Sequence, residues 1–171
     1  MTRAQILYRY DISGYYGDVR RDREGRVTWR RTLEPGLFAL VGELELGDFP
    51  GAPEGGEDRW LSAAERCYAL LNADQRPLGF AEQRSMSCGD IAIILGRVYH
   101  CASAGFDRLD DGPGAGGPEE RERAMVPPGF TRELGALAFV PAAEFWRRAE
   151  RASHEARLRR EPEEGGLSGL A

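Results

Sequence analysis

Lysine is absent from this chain, and all 23 of its basic residues are arginine. Together with 22 glycines, this bias is typical of a GC-rich coding sequence, so no single arginine is taken as a sign of function. Long hydrophobic runs are lacking as well: no stretch approaches the roughly 18 apolar residues that a membrane helix needs. The apolar run at the N-terminus is too short for a signal peptide. We therefore expect a cytoplasmic protein with no membrane partner.

Cysteine and histidine are scarce, which limits metal and redox chemistry. Cys67, Cys88 and Cys101 are an odd number of cysteines at wide spacings without a CxxC pair. This pattern indicates neither a disulfide framework nor a zinc ribbon, and it favours reduced thiols in a reducing compartment. A metal held by Cys88, His100 and Cys101 is disfavoured because residues 100 and 101 point to opposite sides of a strand. We predict no metal and no cofactor.

The chain is long enough for one domain with a real core, since it has 171 residues of which 42% are hydrophobic and 30% charged. We predict an α+β fold in which a small antiparallel sheet packs with one or two helices, followed by a C-terminal strand and a long helix. The expected boundaries are a core domain over residues 1–111, a linker or loop over 112–128, a strand and helix over 129–160, and a disordered tail over 161–171.

Local patterns place the elements of the core domain. Strands are predicted over residues 5–10 and 37–46, with Gly42 as a bulge or break in the second. A helix is predicted to start at Ser62, whose hydroxyl can cap it, and to end near Asn72. Two apolar runs flanking the dipeptide Leu95-Gly96 predict a tight hairpin.

The C-terminal part is predicted to begin with a strand over residues 133–140. Pro141 then opens a helix that extends to residue 160. Phe145, Ala149, Ala152 and Ala156 recur at a period near 3.5, which gives a narrow apolar stripe. We expect this helix to dock on the sheet or on another chain, with Phe145, Trp146 and Ala149 as partner contacts.

The sequence RSMSCGD, residues 84–90, is the best candidate for a ligand or partner site. Small hydroxyls and a glycine before a strand can form a nest of amides that holds an anion, although the lysine and helix of a P-loop are missing. In the other interpretation, the hydroxyls and the aspartate bond to nearby backbone amides and shape a turn. The candidate residues are Arg84, Ser85, Ser87, Asp90 and, on the neighbouring strand, His100.

An enzyme is a weaker alternative. Ser85, Ser87, Asp90 and His100 could form a small active site, and Cys88 could be a nucleophile with His100 as its base. No GxSxG motif is present, and no third residue that would orient a base is identifiable. We therefore assign no catalytic residue.

A basic segment provides the second alternative, nucleic-acid binding. Residues 19–31 read as a hairpin with one apolar and one basic face, and Trp29 beside arginine could stack on bases. The net charge of −5 argues against a general nucleic-acid binder. The basic residues are Arg20, Arg21, Arg23, Arg26, Arg30 and Arg31.

Residues 65–109 combine a short helix that ends in Asn, an Arg-Ser-Met-Ser-x-Gly-Asp turn, a hairpin with a central Gly, and a closing Gly-Phe pair. The residues are Asn72, Arg84, Ser85, Met86, Ser87, Gly89, Asp90, Ile91, Gly96, Gly105 and Phe106. In this combination the segment resembles the YodL-like domain family. The resemblance implies a small α+β module of phages and other bacterial mobile elements, and it brings no catalytic residues. We therefore expect a non-enzymatic accessory protein that binds a host or element-encoded protein.

Overall fold

The fold is α+β, as predicted, and is built around one five-stranded antiparallel sheet. The computed structural model describes residues 1–11, 19–21, 27–29, 33–48, 59–102, 104–109 and 129–164. The strands are β1 (Thr2–Arg9), β2 (Val19–Arg21), β3 (Val27–Trp29), β4 (Phe38–Gly47), β5 (Ile91–Ile94), β6 (Arg97–Cys101) and β7 (Phe106–Leu109). The helices are α1 (Arg59–Leu71), α2 (Phe130–Gly135) and α3 (Ala142–Glu164). The sheet has the order β4-β1-β5-β6-β7, while β2 and β3 form a separate pair.

Period-two alternation along the strands separates two core clusters on opposite faces of the sheet. The first core cluster contains Ile6 and Tyr8 of β1 and Ala92 of β5, and it packs against α1 and the start of α3. The second core cluster contains Leu7 and Ile91 of the same strands and packs against α2. From Ile6 to Arg9 of β1 and along all of β5, both faces of the sheet are therefore buried.

The predicted tight hairpin is confirmed. β5 and β6 pair from Ile91↔His100 to Ile94↔Arg97, so Leu95 and Gly96 form a two-residue connection. Both residues have positive φ, at 50° and 75°. This left-handed pair matches the twist of the adjoining strands, and glycine adopts it without steric cost.

Gly42 lies at the predicted irregularity of β4. In the pairing with β1, Ile6 faces Gly42 whereas Leu7 faces Leu40, so Val41 is an extra, bulged residue. The ring of Phe80 covers Gly42 closely: a Cβ atom added there would lie 2.8 Å from Phe80 Cζ. The glycine thus permits the close approach of a buried ring.

Two expected element starts are wrong. Ser62 lies inside α1, which already includes Arg59, so it is not the cap of this helix. Residues 133–140 do not form a strand: α2 covers Phe130–Gly135, and a single parallel bridge joins Leu40 to Phe139. Phe130 and Leu134, four residues apart, both bury their side chains in the second core cluster, and a helix brings them to one face.

The long C-terminal helix is confirmed, with a later end than predicted. α3 begins at Ala142, directly after Pro141, whose carbonyl oxygen accepts a hydrogen bond from Phe145 N at 2.9 Å. It continues to Glu164, so the first residues of the expected disordered tail are helical. The expected linker over 112–128 and the rest of that tail lie outside the described residues. No helix in the described ranges combines the length and the apolar character that crossing a bilayer requires.

Candidate functional site

Asp90 is the centre of the polar cluster that residues 84–90 form. Its side chain is fully buried, and each of its carboxylate oxygens accepts two hydrogen bonds. Oδ1 accepts from Arg9 N at 2.8 Å and from Arg84 Nη2 at 2.6 Å. Oδ2 accepts from Ser87 N at 2.7 Å and from Arg84 Nη1 at 2.5 Å. The bidentate pair fixes the plane of the guanidinium against the carboxylate.

Arg84 joins three parts of the chain through this pair. Its side chain is only 11% exposed. Nη1 also donates to Ser85 O at 2.9 Å, and Nη2 donates to Arg9 O at 3.1 Å. The guanidinium lies over the ring of Tyr8, 4.3 Å from its centroid, and 5.6 Å from the ring centroid of Phe145 on α3. Stacking on aromatic faces lets a guanidinium keep its charge with little water around it.

Burial raises the pKa of Asp90, whereas the Arg84 guanidinium and the amides of Arg9 and Ser87 oppose that rise. All four hydrogen-bonding partners of the carboxylate are N–H donors, so a protonated Asp90 would direct its own proton at a donor. The geometry therefore assigns a carboxylate paired with Arg84.

The turn at residues 87–90 explains why the sequence needs glycine and aspartate here. Asp90 N donates to Ser87 O at 3.0 Å, and Gly89 between them has a φ of 94°. Gly89 N then donates to Cys101 O, and Cys101 N donates to Asp90 O, both at 2.8 Å. These bonds extend the pairing of β5 with β6 and place the Asp90 side chain against β1.

The end of α1 is tied to the same loop. Asn72 Nδ2 donates to Tyr68 O at 2.9 Å within the helix end and to Met86 O at 3.1 Å in the loop. Met86 itself is buried in the first core cluster. Asn72 thus ends the helix and also positions the chain just before Ser87.

Of the two interpretations of this segment, the turn-shaping role of Asp90 is the one that the geometry favours. The amide of Ser87, which an anion nest would need, donates to the Asp90 carboxylate instead. A carboxylate in the centre of the turn also repels a second anion. Ser85 is exposed and Ser87 is half-buried, so the two hydroxyl residues lie at the surface side of the turn.

His100 is not brought together with Asp90. It lies opposite Ile91 on β6, next to the position opposite Asp90, so the two side chains point to opposite faces of the sheet. His100 is fully buried, and burial, together with the charge of Arg9, lowers its pKa to about 3. A general base needs access to its substrate and a pKa near the working pH, and His100 has neither. The small-enzyme hypothesis therefore lacks geometric support.

The predicted partner residues on α3 have different environments. Phe145 is fully buried in the chain's own core, edge-on to Tyr8 at 5.9 Å and stacked on Tyr10 at 5.6 Å between ring centroids. Its expected role as a contact to another chain is therefore corrected. Ala149 packs at the margin of the first core cluster, while Trp146 is 42% exposed.

The basic segment is described only in part. β2 and β3 form an antiparallel pair with Arg20 opposite Thr28 and Arg21 opposite Val27, as the predicted hairpin requires. Arg23, Arg26, Arg30 and Arg31 lie outside the described residues. Within the described ranges, no group of three or more His, Cys, Asp or Glu residues is arranged to hold a metal ion.

The partners of this cluster that come from β1 were not predicted from the sequence. Arg9 supplies both an amide to Asp90 and a carbonyl to Arg84, and Tyr8 supplies the ring beneath the guanidinium. Arg9 is 81 positions from Asp90 and 75 from Arg84, and Tyr8 precedes it in the chain, so no local spacing reveals either residue. Comparison of the chain with protein-family models, curated proteins and solved structures finds no match.

Proposed function

We propose that this chain is a non-enzymatic protein-interaction module that binds its partner through the outer half of α3. The observation that carries the proposal is the extension of α3 beyond the core. Ala149 is the last residue of α3 that packs against either core cluster among the side chains described, which reach Leu158. Leu158 is 54% exposed. The helix thus presents two or more turns that the described part of the domain does not cover.

The chemistry of this outer half suits a helical protein partner. The apolar stripe that begins with Phe145 and Ala149 continues outward through Ala152 and Ala156, which are half-buried only. Over Ala142–Glu164 six arginines are matched by six glutamates, so the helix as a whole is neutral. A narrow stripe of small residues flanked by charges of both signs is typical of helices that pack on other helices.

The polar cluster supports the same proposal by elimination. The Asp90 carboxylate and the Arg84 guanidinium are engaged with each other and with the backbone of Arg9, Ser85 and Ser87. Their role is to hold β1, the turn at residues 87–90 and the start of α3 together. A function in recognition therefore has to use the surface rather than this cluster.

The biological setting of the proposal rests on the resemblance of residues 65–109 to the YodL-like family. On that basis we propose an accessory protein of a phage or mobile element that acts in the cytoplasm of the host on a host or element-encoded protein.

The test is affinity purification from the host with three forms of the full chain. Ala152→Glu/Ala156→Glu places two acidic groups on the stripe. Ser153→Glu/His154→Glu adds the same charge on another side of the same helix turns and is the matched control. We expect the wild type and the control to recover the same partner, and the stripe variant to lose it by ~10-fold or more, which corresponds to about 1.4 kcal/mol. Equal recovery by all three forms, with unchanged circular dichroism, would contradict the proposal.

Nucleic-acid binding through residues 20–31 is the second candidate, because the antiparallel pairing of β2 with β3 favours a hairpin there. The neutral charge of the complete α3 removes the support that a basic C-terminal helix would have given. This candidate predicts binding to duplex or single-stranded DNA that weakens steeply with salt. A gel shift at low and moderate salt, with Arg20→Glu/Arg21→Glu as the variant, tests it.

A further inference from the structure

Two of the three thiols of the chain meet at one backbone carbonyl. Cys88 Sγ lies 3.2 Å from Ala102 O, and Cys101 Sγ lies 3.8 Å from the same oxygen. The two side chains are neighbours that interact directly by a side-chain hydrogen bond, at a point where Cys101 belongs to the first core cluster and Cys88 packs against the second. The third thiol, Cys67, is fully buried in α1.

The backbone holds the two cysteines in place. Gly89 N donates to Cys101 O at 2.8 Å, so the residue next to Cys88 is hydrogen-bonded to Cys101 itself. Asp90 O, one residue further, accepts from Cys101 N at 2.8 Å. A disulfide needs Cβ atoms about 3.5–4.5 Å apart, a distance that the backbone sets, and these hydrogen bonds hold the two backbone segments that carry the cysteines side by side.

The two thiols differ in their access to reagents. Cys88 is half-buried, whereas Cys101 is almost fully buried. Burial, and next the adjacent Cys88 side chain, raise the pKa of Cys101 to about 12, so Cys101 stays protonated in the resting protein. An oxidant in solution can therefore reach the Cys88 sulfur more easily than the Cys101 sulfur.

We propose that Cys88 and Cys101 are a peroxide-sensitive thiol pair that closes to an intramolecular disulfide. In the first step the Cys88 sulfur attacks one oxygen of hydrogen peroxide. An S–O bond forms, the O–O bond breaks, and the departing hydroxide leaves as water with the Cys88 proton, which gives a sulfenic acid.

In the second step the Cys101 sulfur attacks the Cys88 sulfur. The S–S bond forms, the S–O bond breaks, and the departing hydroxide takes the Cys101 proton and leaves as water. Two thiols are oxidised and one peroxide is reduced to two waters. The new bond links the turn at residues 87–90 covalently to the end of β6, beside the buried Asp90.

The test treats the full reduced chain with hydrogen peroxide and maps its peptides without reduction. We expect a linked Cys88–Cys101 peptide from the monomer, loss of two of the three free thiols, and full reversal by dithiothreitol. Cys67→Ser is the matched control and should form the same link. Cys101→Ala should stop at a sulfenic acid on Cys88 that dimedone traps.

Three results would overturn the proposal. They are overoxidation of Cys88 to sulfinic acid while Cys101 stays free, links that involve Cys67, and disulfides between two chains as the main product. Each is read from the wild-type chain alone, so the outcome does not depend on whether the Cys101 variant folds.

Discussion

The buried carboxylate of Asp90 holds β1, the turn at residues 87–90 and Arg84 together. Removing its charge should therefore lower the free energy of unfolding by a large amount. Asp90→Asn keeps the size of the side chain but leaves the Arg84 guanidinium buried without a counter-charge and turns an amide donor toward other donors. We expect a loss of about 3–5 kcal/mol in the free energy of unfolding, measured by urea denaturation.

The matched control for that change is Glu45→Gln, which removes the acidic partner of an exposed pair. Arg3 Nη2 lies 3.0 Å from Glu45 Oε1, and the side chains are 61% and 57% exposed. Exposed pairs of this kind are worth about 0–1 kcal/mol, since water screens them. Similar losses for the two substitutions would mean that Asp90 does not organise the fold as described.

His100 predicts a pH dependence of stability. Its pKa is lowered to about 3 in the folded chain against 6.5 for an ordinary histidine. Between these values the unfolded chain binds a proton that the folded chain does not, so stability falls as the pH falls through this window. We expect His100 to contribute a loss of about 2 kcal/mol between about pH 7 and pH 5.

The measurement is the urea midpoint as a function of pH for the wild type and for His100→Gln, which cannot titrate in this window. The variant should lose most of the slope, even though the substitution itself destabilises the chain. His154→Gln, which changes an exposed histidine of α3, is the matched control. A slope that survives in His100→Gln would assign the effect to other groups.

Among the elements, the bulge of β4 and the turn that carries Phe80 depend on each other through Gly42. In Gly42→Ala the new methyl group would lie 2.8 Å from Phe80 Cζ and 3.1 Å from Cε1, so the ring must move. We expect a loss of about 1–3 kcal/mol in the free energy of unfolding, as for other overpacked core sites. Gly79→Ala, where the methyl group would meet no atom within 4 Å, should change stability by at most about 0.5 kcal/mol.

A double-variant cycle shows whether the contact itself causes that loss. Phe80→Leu shortens the side chain over Gly42, so the combination with Gly42→Ala should cost less than the sum of the single changes. Additive losses would place the effect in the strand backbone rather than in the ring contact.

The elements that could be predicted from the sequence are those whose signal is local. The apolar alternation around Leu95-Gly96 contains both the strand period and the positive-φ turn, and the helix at 59–71 has its buried face at helical spacing. The run at 133–140 is short, and a short apolar run fits a strand or a buried helix equally well. There Phe130, which lies before the run, decides the outcome by packing into the second core cluster.

The residues of the turn in the candidate site could be predicted from the sequence, whereas their contacts with β1 could not. The sequence correctly singles out Arg84, Ser87 and Asp90 as one turn. It contains no signal that Arg9 and Tyr8, on a strand some eighty residues earlier, complete the cluster, because the pairing of β1 with β5 is a property of the whole sheet. For the same reason, the opposite orientation of His100 follows only from the observed register.

On the scale of the whole molecule, one sheet separates the two core clusters, and β1 and β5 contribute to both. The clusters therefore cannot lose their packing independently, and we expect a single unfolding transition. The start of α3 belongs to this cooperative unit through Phe145, whereas its outer half does not contact either cluster in the described part of the chain.

This division of α3 gives a prediction that separates folding from recognition. A chain that ends after Ser153 should keep its urea midpoint, with a change of at most about 0.5 kcal/mol in the free energy of unfolding, because none of the described side chains beyond Ser153 belongs to either core cluster. Phe145→Ala in the full chain should lose about 3–5 kcal/mol, because the ring fills the space between Tyr8 and Tyr10. Circular dichroism of the shortened chain should show less helix and the same cooperative transition. If shortening lowers the free energy of unfolding as much as Phe145→Ala does, the outer half of α3 stabilises the fold. That result would contradict its proposed role as a partner surface.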